Sequence, residues 1–252
     1  MCGIIGIASN KSVSINIIES LKRLEYRGYD SSGIILFNRK AYLKKCKGKI
    51  AALEKTLIEP ELDFATTGIG HTRWATHGIP SKINSHPHSS NSGELFIVHN
   101  GIIENYEAIK KVLKNKGYKF KSETDTEVLI NLIEEVKKTE KVKLGKAVKI
   151  ALNQVIGAFA IAVFDINNPD EIVVAKLGSP LAVGIDNNNF YIGSDPSPFL
   201  QHTKRCLYLN DYEMAILSKR KGLILRNFLT DNIIKQNIKM LGRFKIIKRF
   251  FN

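Results

Sequence analysis

Phe159-Ala160-Ile161-Ala162-Val163-Phe164-Asp165 is an apolar run of strand length, and it opens a series of such runs. Ile172 to Ala175, Leu181 to Ile185, Phe190 to Ile192, Cys206 to Leu209 and Glu213 to Leu217 follow at short intervals, separated by Asn, Gly and Pro turns. Upstream of Gly157 the period changes. Ala147 to Gln154 reads as helix, Val128, Leu129, Leu132 and Val136 mark a second, and Tyr106 to Lys116, closed by Gly117, a third. Before these, Leu95 to His99 reads as a buried strand. Ile79 to Gly93, rich in Pro, Ser, Asn and His without periodicity, reads as a long loop suited to enclosing a substrate. The N-terminal part gives a strand at Gly3 to Ala8 and a helix carrying Ile17, Leu21 and Leu24 that stops at Gly28. A hairpin follows at Ser32 to Phe37 and Ala41 to Lys45, joined across Asn38-Arg39-Lys40, then a helix near Lys49 to Leu57 and a strand around Thr67 to His71. Helices gathered between two runs of neighbouring strands predict an α+β layered fold rather than a doubly wound parallel sheet. No internal repeat is visible.

No apolar stretch in the 252 residues approaches the roughly 20 needed to cross a bilayer. The start lacks a basic segment and turns polar at Ser9-Asn10-Lys11, so no secretion signal is expected and the compartment read from the sequence is the cytoplasm. Cys2, Cys46 and Cys206 are an odd count at wide spacings, which argues against a disulfide framework and a cysteine zinc site. The net charge of +14 invites a nucleic-acid reading, but its distribution argues otherwise. Between Lys219 and Asn252 ten Lys and Arg face one acid, Asp231, so +9 lies there and the other 218 residues carry +5.

Cysteine directly after the initiator is chemically distinctive. Removal of Met1 leaves one residue holding both a thiol and a free α-amine, whose reference pKa values, about 8.5 and about 7.7–8.0, let the amine relay the thiol proton. Position alone does not separate this from a small buried residue at a strand start. The company it keeps does. Met1-Cys2-Gly3-Ile4-Ile5-Gly6, Leu24-Glu25-Tyr26-Arg27-Gly28-Tyr29-Asp30-Ser31-Ser32-Gly33, Gly70-His71-Thr72-Arg73-Trp74-Ala75-Thr76-His77-Gly78, His99-Asn100-Gly101-Ile102-Ile103-Glu104-Asn105 and Ser122-Glu123-Thr124-Asp125-Thr126-Glu127 occur in that order. Together they resemble the glutaminase domain of the isomerizing glutamine:fructose-6-phosphate aminotransferases, the glucosamine-6-phosphate synthases. These are class II glutamine amidotransferases.

The resemblance implies the N-terminal-nucleophile hydrolase fold, a four-layer αββα arrangement with two antiparallel sheets between helical layers. It implies that Cys2 attacks the side-chain amide of L-glutamine, that ammonia leaves, and that water resolves a γ-glutamyl thioester. Asn100, through its side chain, and Gly101, through its backbone N–H, match the oxyanion hole; locally the pair reads equally well as an Asn-Gly turn after a strand. Arg73 matches the reader of the substrate α-carboxylate and Asp125 that of the α-ammonium, against ordinary roles as a surface charge and a helix N-terminal acid. Thr76 and His77 match further substrate contacts, Arg27 a residue that shapes the nucleophile's surroundings, and Trp74 one associated with the ammonia passage. His71, His77, His86, His88 and His99 show no zinc spacing, so neither metal nor cofactor is expected.

The likeness covers residues 2–217, which sets the expected amidotransferase domain, with 218–252 as a basic tail that is truncated or aberrant. The sugar-isomerase domains of the family, or a synthase subunit, are expected partners with no counterpart in this chain, so glutamine hydrolysis alone is the activity to expect of it; a homo-oligomer stays open. Amidophosphoribosyltransferases share Cys2 but carry a His-Arg-Gly-Gln-type segment where this chain has Tyr26-Arg27-Gly28-Tyr29. The rival from another class is a non-catalytic basic binding module, in which Lys235, Lys239, Lys245, Lys248 and Arg249 form a cationic amphipathic helix on nucleic acid or a membrane surface.

Overall fold

Strands buried on both faces show continuous apolar runs rather than alternation, and Gly3–Ala8 is such a run, with every residue buried. In the computed structural model, which describes residues 2–57, 60–74 and 78–241, this segment is β1. The chain continues through α1 (Ser14–Leu24), β2 (Ser31–Asn38), β3 (Lys40–Lys47), α2 (Ile50–Glu54), β4 (Thr67–Arg73), β5 (His88–Ser89) and β6 (Leu95–Ile103). Three helices follow, α3 (Tyr106–Asn115), α4 (Asp125–Thr139) and α5 (Leu144–Leu152). The rest is strand: β7 (Gly157–Asp165), β8 (Glu171–Leu177), β9 (Ala182–Asp186), β10 (Asn189–Gly193), β11 (Arg205–Tyr208), β12 (Glu213–Ser218), β13 (Gly222–Asn227) and β14 (Lys239–Met240). One sheet has the order β14-β11-β9-β10-β1-β4-β2-β3 and the other β13-β12-β8-β7-β6-β5, and the pairings in both are antiparallel.

The two-residue period of the strands sorts their side chains into separate cores. Ile5 and Ile34 meet Ile17 and Leu21 of α1 on the outer face of the first sheet. Their neighbours Ile4 and Ile35 point the other way, into a core shared with Val98, Ala160 and Ala162 of the second sheet. Ile97, Ile161 and Val163 face outward again, against Val128, Leu132 and Val136 of α4. Three cores between four layers, helix, sheet, sheet and helix, make this the α+β sandwich expected from the sequence.

Four local readings change. Leu95 to His99 runs on as strand to Ile103, so Asn100-Gly101 is paired with Ala160 and Phe159 in mid-ladder and is not a turn. The long loop contributes the short β5 against β6. The boundary at Leu217 also moves. Ser218 to Gly222 closes a hairpin, β13 pairs along the whole of β12, and Leu225 and Phe228 are buried. The basic residues Lys219-Arg220-Lys221 disguise the turn, and Lys219 pairs with Asp170 at 3.1 Å. Residues 232–240 contain no helix and end in β14 against β11, so Lys235 and Lys239 are not on a helix; Lys245, Lys248 and Arg249 lie outside the described residues. No helix among those residues is long and apolar enough to cross a membrane.

Candidate active site

Cys2 immediately precedes β1, so the register of that strand decides its surroundings. β1 lies between β4 and β10, with Gly3 opposite Thr72 and Ile5 opposite Gly193. Arg73-Trp74 at the end of β4 therefore arrive beside the thiol, and Ser194, beyond β10, bonds the backbone of Ile4 at the start of β1. The backbone N–H of Trp74 donates to Cys2 Sγ at 3.1 Å, and Sγ is 3.4 Å from the Trp74 carbonyl. The turn Glu25–Arg27 packs onto the same strand end, which requires glycine next. A Cβ on Gly28 would lie 2.7 Å from the Arg73 carbonyl carbon. This contact sets Arg27, whose Nε donates to Asp195 Oδ2 at 2.9 Å, an oxygen that also accepts from Tyr26 Oη at 2.7 Å. Burial raises the Asp195 carboxyl, but hydrogen bonds from Ser197 and Tyr26 and the Arg27 charge outweigh it and hold the group below the usual aspartate value.

The opposite wall comes from the second sheet. Asn100 Nδ2 donates to the Cys2 carbonyl at 3.0 Å and to Ser194 Oγ at 3.0 Å, while Asn100 Oδ1 is 2.9 Å from His71 Nε2. Gly101 follows with φ +129°, and a Cβ there would stand 2.0 Å from the Ala158 carbonyl oxygen. Only glycine fits this backbone. Asp125 opens α4, whose cap is Thr124 Oγ1 accepting from Glu127 N–H. It is 5% exposed, and its Oδ2 accepts the Ile103 N–H at 2.8 Å. Arg73 is 3% exposed and donates to the carbonyls of Gly78, at 3.1 Å, and Ile79, at 3.5 Å.

Cys2, Arg27, Arg73, Trp74, Asn100, Gly101 and Asp125 line one cleft of about 260 Å³. That is below the roughly 300–1,000 Å³ typical of sites for larger ligands and suits an amino acid. Burial pushes the Cys2 thiol above its ordinary value, against the pull of the Trp74 hydrogen bond and the Arg73 charge. The thiol is therefore protonated near neutrality. Among the described residues no group of three His, Cys, Asp or Glu is placed to hold a metal.

A protein-family model described as a glutamine amidotransferase domain matches residues 61–241. The chain belongs to the glutamine amidotransferase domain family. Curated relatives agree: the isomerizing glutamine--fructose-6-phosphate aminotransferase of Bacteroides thetaiotaomicron is 48% identical over 225 residues, and that of Pyrococcus horikoshii 44% over 220. The alignments cover 88% and 87% of this chain but 36% of each relative, so this amidotransferase domain spans little more than a third of their length. Among solved structures, the glutamine phosphoribosylpyrophosphate amidotransferase of B. subtilis, complexed with ADP and GMP, superposes with a TM-score of 0.75 at 27% identity, covering 92% of this chain and 50% of that one. A glutamine aminotransferase class-II domain protein from Silicibacter pomeroyi, TM-score 0.57 at 13% identity over 90% of this chain and 99% of that one, shares the fold. The N-terminal-nucleophile amidotransferase fold follows from these likenesses and the paired sheets.

Of the nine site residues expected from the amidotransferase sequence motifs, seven meet in the cleft; Thr76 and His77 lie outside the described residues. Ser194, Asp195 and the His71 contact with Asn100 had no local signal. Ser194 is 94 positions from Asn100 and Asp195 is 168 from Arg27, so only tertiary structure brings them together.

Proposed function

We propose that the domain hydrolyses L-glutamine to glutamate and ammonia, with Cys2 as nucleophile. The observation that carries this reading is the meeting of the thiol, the Asn100 amide, the Gly101 backbone, Arg73 and Asp125 in one cleft of amino-acid size. Once Met1 is removed, the α-amine of Cys2 takes the thiol proton, as the raised thiol requires. Sulfur bonds to the amide carbon and the carbonyl electrons move onto oxygen. Asn100 receives that oxyanion by sharing one of its two engaged N–H groups, and Gly101 N–H supplies the second donor. Collapse breaks the C–N bond as the α-ammonium protonates the leaving nitrogen, leaving ammonia and a γ-glutamyl thioester. Water, deprotonated by the same amine, releases glutamate and restores the thiol. Arg73 grips the α-carboxylate, Asp125 accepts from the α-ammonium, and Arg27, tied to Asp195, steadies the wall beside Cys2. Thr76 and His77 supply further substrate contacts, and Trp74, 51% exposed at the rim, lies on the route out for ammonia.

The acceptor we infer for that ammonia is a sugar phosphate bound by sugar-isomerase domains or a subunit, in the cytoplasm. Identity of 44–48% to fructose-6-phosphate aminotransferases, against 27% to the phosphoribosylpyrophosphate enzyme, supports that branch. Intact mass before and after treatment with a diazoketone analogue of glutamine tests the nucleophile. Loss of Met1 and one adduct on Cys2 are expected, with Cys2→Ala unlabelled and releasing no ammonia from glutamine. Ammonia release by Cys2→Ala, or by chains that keep Met1, refutes the mechanism.

A further inference from the structure

A side-chain amide can be seated two ways, with nearly the same shape and opposite hydrogen bonding. For Asn100 only one way presents donors to the nucleophile, and the neighbours decide which. The atom 3.0 Å from the Cys2 carbonyl oxygen must be nitrogen, because a carbonyl only accepts and an oxygen there would leave two acceptors face to face. The second hydrogen on that nitrogen goes to Ser194 Oγ, which also accepts the Ile4 N–H at 2.8 Å. Asn100 Oδ1 is thereby turned to His71 Nε2 at 2.9 Å, so Nε2 is the donor and carries the single proton of a neutral imidazole. His71 Nδ1 is then a bare nitrogen, and it is buried with no hydrogen-bond partner among the described residues. An unprotonated nitrogen is the less costly of the two orphans, since a buried N–H would forfeit a donor bond.

We propose that His71 is a positioning residue, which by donating from Nε2 to Asn100 Oδ1 holds the amide N–H groups on the Cys2 side, where the oxyanion forms. This deepens the glutaminase reading and rests on it. His71 is 1% exposed on β4, opposite Ile4 of β1, and Asn100 is on β6, so the bond ties the two sheets together at the nucleophile. The His86 ring, 4.2 Å away between centroids, packs against the imidazole. Burial drives the His71 pKa down to about 3, so the ring stays neutral throughout the working range. A buried, uncharged histidine with Nε2 set 2.9 Å from Asn100 Oδ1 is built to orient and not to transfer protons.

The test is a kinetic cycle on the full chain, reading kcat and KM for ammonia release from glutamine. His71→Leu keeps the bulk and removes the donor; kcat should fall roughly 10- to 100-fold with KM within about twofold, somewhat less than loss of an oxyanion donor itself. His71→Gln, which restores an N–H near the Nε2 position, should recover most of that loss. In an Asn100→Ala background His71→Leu should change kcat less than about twofold, because nothing is left to orient. Equal losses in both backgrounds, a rise in KM alone, or a Gln variant no better than Leu overturns the assignment. Imidazole ¹⁵N shifts of the wild-type chain at pH 7 give a second readout that needs no variant: the Nε2–H tautomer is expected, and Nδ1–H refutes the proposal. If the wild-type chain releases no ammonia, the glutaminase reading falls and this one with it; an active wild type with additive losses removes only the role of His71.

Discussion

In the proposed site Arg73 serves two partners at once. Its guanidinium faces the cleft and also donates to the carbonyls of Gly78 and Ile79, which lie in the loop between β4 and β5. A substrate carboxylate gripped there is joined through one planar group to the backbone of the loop. Lysine keeps the charge but not the fork, and cannot serve both. Arg73→Lys should therefore raise the KM for glutamine by about tenfold, roughly 1.4 kcal/mol, with a smaller change in kcat. An unchanged KM would remove Arg73 from substrate binding. Asp195 reaches the cleft through Arg27. Its carboxylate gathers Arg27, Tyr26 and Ser197, and its ionised form is favoured despite burial. Nothing in the local sequence Gly193-Ser194-Asp195 announces this role. Arg27 and Arg73 were legible because they stand in long, family-like motifs, whereas their partners are loop carbonyls and a carboxylate supplied by tertiary contact.

At the scale of elements, most of the fold was written in periodicity. β1, α1, the β2–β3 hairpin, α3, α4 and β7 to β12 fall where apolar spacing placed them, since each buries a face whose period is its own. The misses share a cause. A turn signal is local, but Asn100-Gly101 is held in strand by ladder partners more than 50 residues away, and β13 is a strand because β12 pairs with it. The Gly101 geometry makes this testable. An added methyl meets the Ala158 carbonyl oxygen at 2.0 Å on a backbone at φ +129°, so Gly101→Ala must open the β6–β7 ladder at the site. A loss of about 2–3 kcal/mol is expected, a melting temperature lower by about 5–10 °C, together with loss of ammonia release. Gly93→Ala is the control: φ is +81° but open space surrounds the added carbon, so a milder loss of about 1 kcal/mol and retained activity are expected. Equal stability of the two variants would mean that the strand tolerates a side chain at 101.

For the whole molecule, the histidines between the layers set a limit on acid stability. His71, His86 and His88 are at most 6% exposed, and their rings pack in series, tilted at 4.2 Å and edge-to-face at 4.7 Å. Burial is the main force keeping all three neutral; Lys45 and Arg73 add repulsion to His88, and the other histidines add it to His86. Lys45 is itself lowered to about 8, chiefly by burial, so this region resists any further positive charge. Their folded pKa values lie below the unfolded value near 6.5, about 3 for His71. Above pH 6.5 both states are neutral at these sites and stability is complete. Below it the unfolded chain takes up protons that the folded chain refuses, and stability falls until the folded values are reached. From pH 7.5 to 5.5 each such histidine costs about 1.4 kcal/mol, so the three together cost about 4 kcal/mol. For a chain of this size that corresponds to a melting temperature lower by about 8–15 °C. The window lies above the range where carboxylates titrate, so the histidines dominate it. Thermal melts at the two pH values decide the matter: a melting temperature that stays level or rises toward pH 5.5 would mean that these rings accept protons in the folded protein, and that the buried, neutral wall behind Asn100 does not exist.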